Sequence, residues 1–154
     1  ISSMIEKAGM KPGTIFMNAT ENEPTEDDIN KFQTDIDDNV ITIERVRTAD
    51  GEPVVYCIDK VPAKYLPKQF LENEDLSLFS ALEKSGNMRI AYAVTYIDTV
   101  GYHETVSPIL KCGPEASLLV LKQLHYDDND QVVLYSKNYF RADKFSFHVV
   151  RKRV

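Results

Sequence analysis

The sequence predicts an α+β fold, built on a mostly antiparallel sheet of about six strands with helices flanking it. Three observations carry that prediction. Apolar and polar residues alternate with period two over several long segments. Two pairs of these segments are joined by Asp-containing turns, at Asp50-Gly51 and at residues 127–130, which favour antiparallel hairpins. Helix-start and helix-stop signals fall between the alternating segments, with no regular strand-helix repeat that would argue for a parallel sheet.

Element by element, Ser2 or Ser3 can cap a two-turn helix that Gly9 stops, because a hydroxyl accepts from the free amides of a first turn. Residues 11–14, Lys-Pro-Gly-Thr, predict a turn, and residues 15–19 a strand. Thr25-Glu26-Asp27-Asp28 has the spacing of a capping box, with acids at the positive end of a short helix whose Ile29 and Phe32 share a face. Residues 40–48 and 53–58 form the first hairpin, which places Arg45 and Arg47 on one strand face.

Residues 61–67 are bracketed by prolines and predict a connection. Leu76, Phe79, Ala81 and Leu82 fit one face of a helix ended by Ser85-Gly86. Residues 87–100 predict a strand with Tyr92 and Tyr96 on one face, where core packing or a pocket lining both fit and packing is the expectation. A short helix interrupted at Pro108 is expected within residues 105–110. A second hairpin joins residues 118–125 to 132–141, and residues 145–150 predict a closing strand.

The 154 residues are enough for one domain with a real core, and 43% hydrophobic with 27% charged residues excludes disordered, collagen-like and disulfide-stapled chains. The net charge of −6 disfavours direct contact with a polyanion such as nucleic acid. The excess sits in residues 1–40, where nine acids face three lysines, while the remainder balances. The acidic stretch reads as a solvated face. Cys57 and Cys112 stand 55 residues apart without metal-ligand spacing, and no apolar run approaches a membrane span. A cytoplasmic chain with reduced thiols, no metal and no cofactor is therefore expected. It opens on Ile1 inside a helix start, as a piece of a longer protein would.

Arg45 and Arg47 are the strongest chemical feature: two guanidinium forks on one strand face can grip a phosphate or carboxylate, or simply pair with Asp50, Glu52 or another surface acid across the hairpin. Ser77 either caps its helix or adds to an anion site. His103, His125 and His148 stand apart, without the spacing of a catalytic triad, and read as structural or surface residues. No catalytic residue is assigned. The basic residues 151–153 follow an alternating Phe145, Phe147, Val149 pattern and read as solubilising charges on a strand.

Three blocks in register resemble the UTRA domain, the effector-binding half of the HutC subfamily of GntR transcription regulators. The first runs Glu44-Arg45-Val46-Arg47-Thr48-Ala49-Asp50-Gly51-Glu52-Pro53-Val54, with Leu66-Pro67 after it. The second is Leu76-Ser77-Leu78-Phe79, similar to the family's Ser-Leu-Tyr. The third spans residues 132–145 and ends in Tyr139-Phe140-Arg141-Ala142-Asp143-Lys144-Phe145, similar to a closing Tyr-Arg-Gly-Asp-Arg-Tyr.

The resemblance implies a chorismate lyase-like fold over residues 1–154, with a ligand between sheet and helices. It also implies a winged helix-turn-helix domain before this segment, homodimers, and operator contact only through that absent domain. In members that bind sugar phosphates, the arginine pair, the Ser-Leu-Tyr serine and the amino end of the first helix surround the anion. The matching positions are Arg45, Arg47, Ser77, and Ser2 or Ser3. Carboxylates that meet the sugar in those members are replaced by Cys57 and Leu134, and two tyrosines by Phe79 and Phe140. The implied effector is a small anionic metabolite, flatter or more apolar than an amino-sugar phosphate. The alternatives are a chorismate lyase-like enzyme and a ligandless oligomerisation module.

Overall fold

The computed structural model describes residues 1–33, 38–66, 78–85 and 88–153. Its strands are β1 (Pro12–Asn22), β2 (Val40–Ala49), β3 (Glu52–Pro62), β4 (Ile90–Val100), β5 (Leu118–Asp127) and β6 (Val132–Arg141), in the order β1-β2-β3-β6-β5-β4. Every pairing is antiparallel. The helices are α1 (Ser2–Lys7), α2 (Glu26–Phe32), α3 (Leu78–Ser85) and α4 (Val106–Ile109). The α+β class and the six-stranded sheet agree with the sequence prediction.

Local chemistry accounts for most element ends. Thr25 and Asp28 form the capping box: the Asp28 amide donates to Thr25 Oγ1 at 3.1 Å, and the Thr25 amide to the Asp28 carboxylate at 3.0 Å. Asp28 is itself buried and meets Lys60 at 3.0 Å, which ties α2 to β3. Asp50 and Gly51 both adopt positive φ, 49° and 83°, as a two-residue hairpin turn requires, and asparagine, aspartate and glycine tolerate that region best. Pro108 lies within α4, still in the first turn, where its missing amide had no intrahelical partner.

Several expectations need correction. Ser2 and Ser3 do not cap α1: Ile1 holds the N-cap position with no side-chain bond, and both serines lie inside the first turn. Residues 12–14 open β1 instead of turning, since their backbone pairs with β2 from Pro12↔Ala49 onward. Residues 61–62 extend β3, and a single 3-10 turn at Ala63–Tyr65 follows. Tyr92 and Tyr96 are not core residues, at 44% and 58% exposure, because β4 is an edge strand; Tyr92 lines a cavity instead, as the pocket alternative has it. Residues 145–150 form no strand among the described residues, since no ladder partner lies beside them. Leu76, Ser77 and Gly86 lie outside the described residues.

The two sheet faces are covered unequally. On one, α4 packs Val106 and Leu110 with Val46, Tyr56, Leu118, Val120 and Tyr139. On the other, two apolar clusters stand apart: α3 joins Leu78 and Leu82 to Ile41, Ile43, Val61 and Leu134, while α1 places Ile5 against Val55, Cys57, Leu121 and Phe140. The space between those clusters is where the candidate site lies.

Candidate functional site

Strand register builds the site. Three successive rows cross the sheet on the face between α1 and α3: Arg47-Val55-Phe140-Leu119-Thr99, then Arg45-Cys57-Asn138-Leu121-Ile97, then Ile43-Asp59-Ser136-Gln123-Thr95. Side chains two apart on a strand share a face, so these rows form a continuous floor. A cavity of about 1100 Å³ opens over it.

Of the residues singled out from sequence, Arg45, Arg47, Ser2, Ser3, Phe79, Leu134 and Phe140 all line this cavity. Cys57 shares the face but is buried, 1% exposed, and is not part of the lining. Burial pushes its thiol up to about 12, with the nearby Asp59 adding to the effect, so it stays neutral and unreactive. Ser77 lies outside the described residues.

Arg45 pairs with an acid across the hairpin, but with the buried Asp59 in place of Asp50, Glu52 or a surface acid. Arg45 Nη2 meets Asp59 Oδ2 at 3.2 Å, with both side chains nearly buried. Arg47 Nε donates to the Gly13 carbonyl at 3.2 Å, and its Nη2 donates to Ser2 Oγ at 2.6 Å. Glycine at position 13 also keeps β1 close to β2, because a Cβ there would lie 2.7 Å from Oγ1 of its cross-strand partner Thr48.

The sequence reading missed the polar part of the floor. Ser136 Oγ donates to Asp59 Oδ1 at 2.7 Å and lies 3.4 Å from His125 Nε2. Gln123 Nε2 donates to Thr95 Oγ1 at 3.0 Å. Arg45 Nε and Asn138 Oδ1 are buried without a hydrogen-bond partner among the described residues. Cys57 and Leu134 carry no carboxylate, and Asp59, Asn138, Ser136 and Gln123 supply the polar groups of this floor through cross-strand pairing. Sequence patterning marked Gln123, Ser136 and Asn138 as strand, stopped one residue short of Asp59, and gave no sign that three strands bring them together.

His125 is also more than a surface residue. It is 4% exposed, lines the cavity, and meets the Phe79 ring edge-to-face at 5.2 Å between centroids. Burial lowers its pKa, with Asp59 opposing. His103 has a structural role, its Nδ1 accepting from the Thr105 and Val106 amides at the start of α4.

A depressed histidine pKa means that the unfolded chain takes up the proton more readily. The stabilising effect of neutral His125 is therefore complete above the unfolded value, near 6.5, and is lost as pH falls toward the folded one. Urea unfolding at pH 7.5 and 5.5 should show a larger acid loss in the wild type than in His125→Gln. Equal losses would rule His125 out as the source.

Among the described residues no group of three or more histidine, cysteine or acidic side chains is placed to hold a metal. No described helix is long and apolar enough to cross a membrane.

The profile described as UTRA domain matches residues 7–146. In structure, the chain is similar to the effector domain of PhnF from Mycobacterium smegmatis, with a TM-score of 0.86 at 23% identity, covering 99% of this chain and 94% of that one. It is similar to a GntR-family transcriptional regulator from Enterococcus faecalis V583, with a TM-score of 0.76 at 20% identity, covering 92% and 100%. A ligand-binding domain of a putative GntR-family regulator from Bordetella bronchiseptica gives a TM-score of 0.80 at 14% identity, covering 93% and 91%. Comparison with curated protein sequences gives no match.

Proposed function

The chain belongs to the UTRA domain family, and from that premise we propose that its cavity binds a small anionic effector in a dimeric GntR-type transcription regulator. The observation that carries the anion is the convergence of Arg45 and Arg47 on one cavity whose floor holds an unpartnered Arg45 Nε and Asn138 Oδ1. A guanidinium N–H seeks an acceptor, and a buried amide oxygen seeks a donor. The favoured ligand therefore carries a phosphate or carboxylate and, a few ångströms away, an N–H or O–H. The polar floor leaves room for a hydroxylated ligand, while Phe79 and Phe140 favour a flat or apolar flank.

A DNA-binding domain preceding this one belongs to the same reading. Binding would favour one arrangement of the dimer and so change how two DNA-reading domains match operator half-sites. A tenfold change in operator affinity asks for about 1.4 kcal/mol of coupling. The enzymatic alternative loses its basis: the family and the structural neighbours are those of regulators, and position 134 carries a leucine with no proton to donate.

A thermal-shift panel tests the ligand class. Phosphate monoesters and carboxylates bearing a donor should raise the Tm, and uncharged analogues should not; a panel in which no anion stabilises the chain overturns the reading. Asn138→Leu separates the two ligand ends. It should leave the unliganded chain as stable or more stable by about 1 kcal/mol, because it removes a buried acceptor without a partner, yet weaken donor-bearing anions selectively. Equal weakening of donor-free anions would count against a role for Asn138.

A further inference from the structure

One line of hydrogen-bonding side chains crosses the cavity floor, with one member from each of four adjacent strands: Arg45 of β2, Asp59 of β3, Ser136 of β6 and His125 of β5. We propose that this line fixes the tautomer of His125, leaving Nδ1 a bare acceptor, and that His125 thereby selects effectors whose end away from the anion carries an O–H or N–H. The anion reading above is the premise; His125 is the residue that meets the ligand's other end.

Proton counting along the line gives the tautomer. Asp59, held by Arg45 at 3.2 Å, is a carboxylate and only accepts. Ser136 has a single hydroxyl proton and donates it to Asp59 Oδ1 at 2.7 Å. Toward His125 Nε2, at 3.4 Å, the serine oxygen can then only accept, so Nε2 is the nitrogen that carries the proton. A neutral imidazole has one N–H, which leaves Nδ1 with a lone pair. That nitrogen has no hydrogen-bond partner among the described residues, on a buried side chain that lines the cavity. Buried acceptors without a partner are uncommon, and a donor entering the cavity would satisfy this one.

The surroundings keep the ring neutral. Its cross-strand neighbours are Ala93 and Leu134, and the Phe79 ring of α3 meets it edge-on. Tyr92 and His148 line the same cavity. Among the described residues Asp59 is the charged group that faces the ring, through Ser136, and Arg45 already offsets it. Burial lowers the pKa of His125 by more than Asp59 raises it. At neutral pH the ring therefore accepts at Nδ1, and protonation would turn that nitrogen into a second donor.

Neighbouring groups have the same polarity. Gln123 uses its amide N–H on Thr95 Oγ1, which leaves its oxygen to accept, and Asn138 Oδ1 is unpartnered. Arg45 and Arg47 supply donors at one end of the floor, while acceptors collect at the other. An anion with an apolar far end would leave His125 unpaired.

Phenyl phosphate and para-hydroxyphenyl phosphate differ by one hydroxyl at the end away from the phosphate, so the ratio of their Kd values isolates the far-end contact. Calorimetric titration of the full chain at pH 7.5 should favour the hydroxyl compound by about two- to tenfold, the worth of one hydrogen bond. That preference should vanish as pH falls through the folded pKa of His125, followed on the same ring by nitrogen NMR. A histidine with only a structural role would not link the two. His125→Phe should show no preference at any pH. In the unliganded wild type the ring-nitrogen shifts should place the proton on Nε2. Ser136→Ala removes the acceptor that holds it there, and should mix the tautomers and reduce the preference. A proton on Nδ1 in the wild type, or equal binding of the two phosphates, overturns the role of His125 and leaves the anion site standing. Binding of neither overturns it together with the phosphate part of the functional reading.

Discussion

Arg45→Ala is expected to lower the unfolding free energy by about 3–5 kcal/mol, the cost of leaving one member of a buried ion pair alone. The Asp59 carboxylate is 7% exposed and would keep only the Ser136 hydroxyl, at 2.7 Å, in place of a guanidinium at 3.2 Å. For a domain of this length that loss amounts to a Tm fall of roughly 6–20 °C. Adding Asp59→Asn should recover much of it, since the uncompensated charge, and not the missing contact, dominates the penalty. Urea unfolding of the two single variants and the double variant measures the coupling directly. A loss below about 1 kcal/mol for Arg45→Ala would show that water reaches Asp59 and that the pair behaves as a surface one.

The pair matters to the proposed site because Asp59 does two things at once. It holds Arg45 with one Nη, which fixes the plane of the fork, while Nε stays buried beside the cavity without a partner among the described residues. In the proposed site an anion would complete a set of hydrogen bonds whose orientation is already settled in folding. Arg47 is fixed in the same manner by Gly13 and Ser2.

Much of this fold was legible in the sequence, for reasons that can be stated residue by residue. The second hairpin was legible because two strand-like segments flank a turn of aspartates, so that its bounds follow from local sequence. The Thr25 capping box was legible because it is wholly local. The chain from Phe145 onward read as a strand and is not one, since alternation reports what a segment can do and a ladder also needs a neighbour. Tyr92 and Tyr96 were misplaced for a related reason: whether a strand lies at an edge is a property of the whole topology. Within the cavity, Arg45 and Arg47 stood out because two cations lie two residues apart. Asp59, Ser136 and Asn138 did not, because they come from two strands separated by more than seventy residues and meet only through the β3–β6 pairing.

Arg47→Ala is expected to remove most of the stabilisation that an anion confers, while Arg47→Lys retains part of it. A ligand present at a hundred times its Kd stabilises the wild type by about 2.7 kcal/mol. Hydrogen bonds to a charged group contribute about 1.5–3 kcal/mol, so losing one weakens binding by roughly ten- to a hundredfold. At the same ligand concentration the variant would then keep between about half and about one-seventh of the shift. Lysine restores the charge but not the fork, and it cannot donate to Gly13, Ser2 and a ligand in one plane, so its affinity should lie between the two. Calorimetric titration with inorganic phosphate, a phosphate monoester bearing a hydroxyl and a monocarboxylate would give the order for each. If Arg47→Ala bound all three as tightly as the wild type, the anion would have to sit on Arg45 alone, and the two-arginine grip would be wrong. If Arg47→Lys matched the wild type, the site would be reading charge and not geometry, and the planar fork held by Gly13 and Ser2 would have no part in recognition.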